Sequence, residues 1–164
     1  MADDRLHDRA GASTGRRCAQ GKRGADAQGL GRSRGGLSTK IHAAGDALGN
    51  PVRLIGSPGQ RNDIAFAHDL VDGITTGATI ADKGYDADHL IDKVTQAGAK
   101  VVIPPKRNRK VQRPYDVDLY KERNIIERFF NKLKQFRRVA TRYDKLLVNF
   151  MGFVKLAAIA IWLK

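Results

Sequence analysis

Regular alternation of apolar and polar positions begins abruptly at Leu37. Ahead of it, residues 1–36 are rich in Gly, Arg, Asp and Ala with almost no apolar periodicity. Such a segment buries too little apolar surface to offset the entropy of ordering, so disorder is expected there. Ser38 to Ala43 alternates as a strand, Ala47 to Asn50 reads as a turn, and Pro51 to Gly56 reads as a second strand. Two strands about a Gly-Asn turn make a β-hairpin. Pro58 to Asp63 is a polar loop, and Asn62 or Asp63 is placed to cap a helix burying Ile64, Phe66, Ala67, Leu70 and Val71.

Beyond Gly73 and Gly77, Ala78 to Ala81 is a short apolar strand. Asp86 is expected to cap a helix carrying Leu90, Ile91 and Val94, stopped by Gly98. Lys100 to Ile103 is another strand, ended by Pro104 and Pro105. A basic loop covers Lys106 to Arg113, a long helical pattern runs from Asp118 to Arg138, and a last helix covers Lys145 to Leu163. A hairpin followed by strand–helix alternation indicates an α/β fold, a mixed sheet with flanking helices. The C-terminal stretch from Leu146 is apolar, but Asn149 and Lys155 interrupt it well short of the roughly 20 residues a membrane span needs. It reads as a buried helix that closes the core, with no membrane association.

Charge adds a partner to this picture. The chain carries 30 Lys and Arg against 17 Asp and Glu, for a net charge of +13, and its pI is near 10.2. That excess favours a polyanion, most commonly nucleic acid. Cys18 is the only cysteine, which excludes a disulfide framework and a cysteine-based zinc site and fits a reducing cytoplasm. The polar N-terminus has no signal-peptide pattern.

Two carboxylates stand out. Tyr120, Arg123, Glu127 and Lys134 lie within roughly 60° of one another on a helical projection at about 100° per residue. A separate face of that pattern carries Ile125, Ile126, Phe129, Phe130, Leu133 and Phe136. A carboxylate flanked by cations suits metal-assisted phosphoryl chemistry, the carboxylate holding a divalent ion while the cations meet phosphates. On spacing alone an ordinary solvated face with i,i+4 ion pairs is the favoured reading. Asp82 ends an apolar strand and precedes Lys83-Gly84-Tyr85. Ligand sites in α/β sheets gather at such ends, although taken alone an aspartate capping its own turn is the preferred explanation. Lys106, Arg107, Arg109, Lys110 and Arg113 form a loop suited to phosphate or simply to solvent. Gly31-Arg32-Ser33-Arg34-Gly35 matches the nucleophile-elbow pattern but lacks its strand-to-helix context, so it is read as a chance match. His42, His68 and His89 show no paired metal spacing.

The spacing Tyr120-x-x-Arg123-x-x-x-Glu127, with Lys134 seven residues on, resembles the Y-R-E-K signature of bacterial insertion-sequence DDE transposases. Ala81-Asp82-Lys83-Gly84-Tyr85-Asp86 resembles the block holding their second catalytic aspartate. The segments Gly31 to His42 and Pro58 to Asp63 are similar to further blocks of that group, and the resemblance runs from Gly24 to Lys164. It implies a ribonuclease-H-like catalytic domain over 37–164 in which three carboxylates hold two Mg²⁺ ions. One ion activates water or a 3′-hydroxyl and the other stabilises the leaving oxygen. By this resemblance Asp82 and Glu127 are catalytic metal ligands, Arg123 and Lys134 position phosphate, and Tyr120 contacts the DNA end. The implied partners are double-stranded DNA at element ends and further copies of the chain.

One family block is missing. The Asp-Ser-Thr block with the first catalytic aspartate belongs some 25 residues before the Gly-Arg-Ser-Arg segment, and this sequence has none. Asp3, Asp4 and Asp8 lie near the right distance, but none is in an apolar strand. Reading the codons of Met1 to Asp8 one base forward permits Trp-Arg-Met-Ile-Asp-Ser-Thr-Thr. Residues 1–22 are therefore expected to be family coding sequence read out of frame, leaving the sheet without its first central strand and the isolated fragment inactive. The alternative is a non-catalytic DNA-binding regulator or remnant of the transposase. A basic RNA- or ribosome-associated protein is a third reading.

Overall fold

The computed structural model describes residues 2–7, 27–33 and 36–163. Among the described residues there are six strands: β1 (Ala2–His7), β2 (Gly31–Ser33), β3 (Gly36–Gly45), β4 (Pro51–Pro58), β5 (Ala78–Ile80) and β6 (Lys100–Val102). The α-helices are α1 (Ala67–Val71), α2 (Asp88–Gln96), α3 (Val117–Tyr120), α4 (Asn124–Leu133), α5 (Arg137–Ala140) and α6 (Leu147–Trp162). Short 3₁₀ turns cover Asp63–Phe66, Lys83–Tyr85 and Lys121–Arg123. The protein is mixed α/β, as the alternation predicts.

In one sheet β3 is flanked by β1 and β2 and also pairs with β4. The second sheet is the parallel pair β5–β6, with Thr79 opposite Val101. The β3–β4 turn is fixed by Asp46, whose carboxylate accepts from the N–H groups of Leu48 at 2.9 Å and Asn50 at 2.8 Å. Gly49 sits there at φ 89°, a conformation that favours glycine.

Two compact units divide the chain. The first comprises residues 1–2, 42–53 and 62–129, and the second residues 3–41, 54–61 and 130–164. Ala43, Leu70, Tyr85, Leu90, Val102, Ile103 and Phe129 are core residues of the first. Each large apolar side chain buried in this way contributes about 1.5–3 kcal/mol. In the second unit the core includes Ile41, Phe130, Leu133, Val139, Phe150 and Val154. Buried Arg142 ties that unit together, donating to the carbonyls of Asp144 at 2.8 Å and Lys145 at 3.0 Å and to Thr39 Oγ1.

Four expectations change. The unpatterned N-terminal segment contains strands at Ala2–His7 and Gly31–Ser33. A backbone ladder needs no side-chain alternation, so an irregular sequence can still pair beside β3. The rest of the segment expected to be disordered lies outside the described residues, apart from 27–30 and Gly36, which opens β3. The β2–β3 pair, with Gly31 opposite Ser38, is strand to strand rather than strand to helix, so the elbow reading of Gly31 to Gly35 fails as expected.

The long pattern from Asp118 to Arg138 is not one helix. It is α3, a 3₁₀ turn, α4 and α5 in succession. A 3₁₀ turn keeps residues three apart as neighbours, so apolar periodicity passes through the breaks unseen. Asp86 does not cap α2; Ala87 holds that position, without a side-chain bond. Finally, α6 buries only one face. Phe150, Met151 and Val154 are inside while Val148, Leu156, Ile159 and Trp162 are exposed. No helix among the described residues is long and apolar enough to cross a membrane.

Candidate active site

Three short elements of the first unit converge on one guanidinium. Asp82 follows β5 and caps the 3₁₀ turn Lys83–Tyr85, its Oδ1 accepting from the Gly84 N–H at 3.2 Å. Fully buried Tyr85 anchors that turn. The capping explanation of Asp82 is therefore correct, but it uses only one carboxylate oxygen. The other, Oδ2, lies 3.8 Å from Arg123 Nη1. Glu127 sits in the first turn of α4, and its Oε1 is 2.8 Å from the same Arg123 nitrogen. Buried Ile126 and Phe129 hold that end of α4 in the core.

The two carboxylates are similarly exposed, at 41% for Asp82 and 46% for Glu127, and Arg123 between them is less so, at 25%. Both carboxylates thus remain open to a ligand while sharing one cation. Arg123 also lies 5.5 Å from the centre of the Tyr120 ring, which Tyr115 meets edge-on at 5.5 Å. Burial raises the Tyr120 phenol above its ordinary range; Arg123 works against that and Asp82 adds to it. Tyr120 is therefore a neutral hydrogen-bond donor at physiological pH.

Of the predicted stripe, Tyr120, Arg123 and Glu127 come together. Lys134 lies just past α4 in the second unit, exposed, with its N–H bonded to the Phe130 carbonyl at 3.0 Å. Tyr115 went unrecognised in the sequence because nothing in the intervening loop announces its fold-back onto Tyr120.

The basic loop also divides. Asp86, only 3% exposed, accepts from the Lys106 N–H at 2.7 Å, Arg109 Nε at 2.6 Å and Arg113 Nη2 at 3.0 Å. Burial works to raise the Asp86 carboxyl, but these donors outweigh it and hold it below the ordinary carboxylate value. Arg109 reaches Asp88 as well, at 2.7 Å. His68 and His89, unpaired by sequence spacing, stack with ring centres 4.7 Å apart. His42 is buried against Phe66, with its Nδ1 3.8 Å from Asp63.

The donors fit a divalent ion only in part. Two carboxylates supply the hard oxygens that Mg²⁺ prefers, with water and phosphate able to complete its shell. Among the described residues no group of three His, Cys, Asp or Glu side chains is placed to hold a metal. The pair suits one ion rather than two.

Residues 3–163 match the family model described as the transposase DDE domain. The chain is also similar to a Brucella ovis protein named putative transposase for insertion sequence element IS6501. The two are 46% identical over 132 residues, spanning 78% of this chain and 100% of that protein. No solved structure matches. With the family match covering nearly the whole chain, and aspartate and glutamate drawn together at its centre, the protein belongs to the insertion-sequence DDE transposases.

Proposed function

We propose that Asp82 and Glu127 are two of the three catalytic carboxylates of a transposase that cuts and joins DNA at the ends of its element. One observation carries this reading: carboxylates 45 positions apart in sequence meet at the single guanidinium of Arg123. Two half-exposed carboxylates this near one another repel unless a cation stands between them. Arg123 supplies that charge here, and Mg²⁺ would supply it when bound, polarising the phosphate and lowering the pKa of the attacking water. Arg123 and Lys134 would position phosphate, and neutral Tyr120 would donate to the DNA end. The loop from Lys106 to Arg113 would meet the DNA backbone. A ribonuclease-H-like domain is compatible with the β3–β4 hairpin and the parallel β5–β6 pair. A cytoplasmic location follows from the substrate. A homo-oligomer agrees with the apolar stripe that α6 leaves exposed.

The third carboxylate belongs to the absent Asp-Ser-Thr block, so the 164-residue chain is proposed to be inactive in cleavage. Sequencing the DNA across codons 1–30 tests the shifted frame. An open frame encoding Asp-Ser-Thr supports it, and a closed one removes it. Restoring that block and substituting Asp82→Asn or Glu127→Gln tests the catalytic reading. Loss of Mg²⁺-dependent cleavage with DNA binding retained is expected. Full cleavage by either variant would remove that residue from the catalytic set, whereas DNA binding without any cleavage by the restored protein would leave the regulator reading, in which the chain binds element DNA without cutting it.

A further inference from the structure

The five cations between Lys106 and Arg113 are not equivalent. Three of them belong to Asp86: the Lys106 N–H, Arg109 and Arg113 all donate to its buried carboxylate, and Lys106 Nζ donates to its carbonyl at 3.0 Å. Two further bonds close the loop on itself, as Gln112 Nε2 donates to the carbonyls of Lys106 and Arg109 at 3.2 Å each. The Arg109 N–H returns to the Lys106 carbonyl at 3.0 Å. That bond closes a tight turn with Arg107 and Asn108 at its two central positions. Side chains at the centre of such a turn stand outward. Arg107 and Lys110 are exposed, and among the described residues neither meets a carboxylate.

Asp86 also fixes where this turn is carried. It closes the 3₁₀ turn Lys83–Tyr85 that Asp82 opens. One short segment therefore holds the candidate catalytic carboxylate at its start and the anchor of the basic loop at its end, no more than about 14 Å apart along the chain.

We infer that Arg107 and Lys110 form a preorganised contact for the DNA phosphate backbone, and that Arg109, Arg113 and Asp86 position this contact without touching DNA. The inference rests on the transposase reading above and narrows the loop to two phosphate-binding side chains. Cations carried on a loop whose backbone and neighbours a buried carboxylate holds in advance lose less freedom on binding than cations on a mobile loop. Phosphate contacts carry no sequence information, so duplexes of different sequence should be bound alike through this loop.

The test uses the full 164-residue chain and a labelled mixed-sequence DNA duplex, with affinity read between about 50 and 200 mM salt. Substituting Arg107→Ala and Lys110→Ala together should lower the magnitude of the log–log salt slope by about 2, near 0.9 for each lost phosphate contact. Melting temperature should not change. Arg109→Ala should weaken binding and lower the melting temperature while leaving the slope where it was. An unchanged slope in the double variant, with the parent still binding, would overturn the inference alone. A drop of about 1 in the slope for Arg109→Ala would also overturn it, by making Arg109 itself a phosphate ligand. Absence of salt-dependent DNA binding by the parent chain would remove the inference together with the DNA-binding reading beneath it.

Discussion

Asp82 and Asp86 lie four residues apart on one turn, yet their surroundings are opposite. Asp86 is buried and receives three donors on its carboxylate. Asp82 is 41% exposed, spends one oxygen on the Gly84 N–H, and shares a distant guanidinium with Glu127 through the other. A buried carboxylate already held by three donors serves the fold. A half-open carboxylate facing a second one can accept a metal ion or a proton. The arginines follow the same division: Arg109 joins two carboxylates of a loop scaffold, while Arg123 joins two carboxylates that stay half exposed.

The largest effect should come from the open pair. In protein with the Asp-Ser-Thr block restored, Asp82→Asn or Glu127→Gln should abolish cleavage in a gel assay, and neither should shift the unfolding midpoint appreciably. The reverse holds for the buried partner. Asp86→Ala strands two arginines around an empty site and should cost about 3 kcal/mol of stability in urea unfolding. A loss there no greater than at Asp82 would erase the distinction between the two aspartates.

Acid titration sharpens it further. The Asp86 carboxyl is depressed in the folded protein relative to its ordinary value of 3.8. Its contribution is therefore fully present above that value and is lost as pH falls through the lower folded value. Unfolding free energy should decline below about pH 4, and Asp86→Asn should flatten that part of the profile. The smallest effect belongs to the exposed Lys121–Asp118 pair, 2.7 Å apart. Lys121→Ala should leave the melting temperature unchanged, because solvent screens such pairs.

Elements whose side-chain pattern reports their environment were legible in the sequence. Strands β3, β4, β5 and β6 and helices α2 and α6 fall where alternation or helical spacing put them. Strand β1 was not, since Ala2 to His7 pairs through backbone with no alternating face to betray it. The breaks around Tyr120 and after Leu133 were hidden because 3₁₀ and α geometry share their i,i+3 neighbours. In the site, Asp82 was marked by its place at a strand end. Glu127 needed the family spacing, because an ion-paired helix face looks the same whether or not it binds metal. Asp86 was misread as a helix cap. Its partners lie 20 to 27 residues downstream, and a run of cations does not say which of them turn inward.

Under the proposed function this chain carries two of three catalytic carboxylates and needs the third to act. Its most direct test is Mg²⁺-dependent cleavage of element-end DNA by two purified proteins, the 164-residue chain and the same chain with residues 1–22 replaced by their shifted-frame reading. Cleavage is expected only from the restored protein. Robust cleavage by the 164-residue chain itself would contradict it.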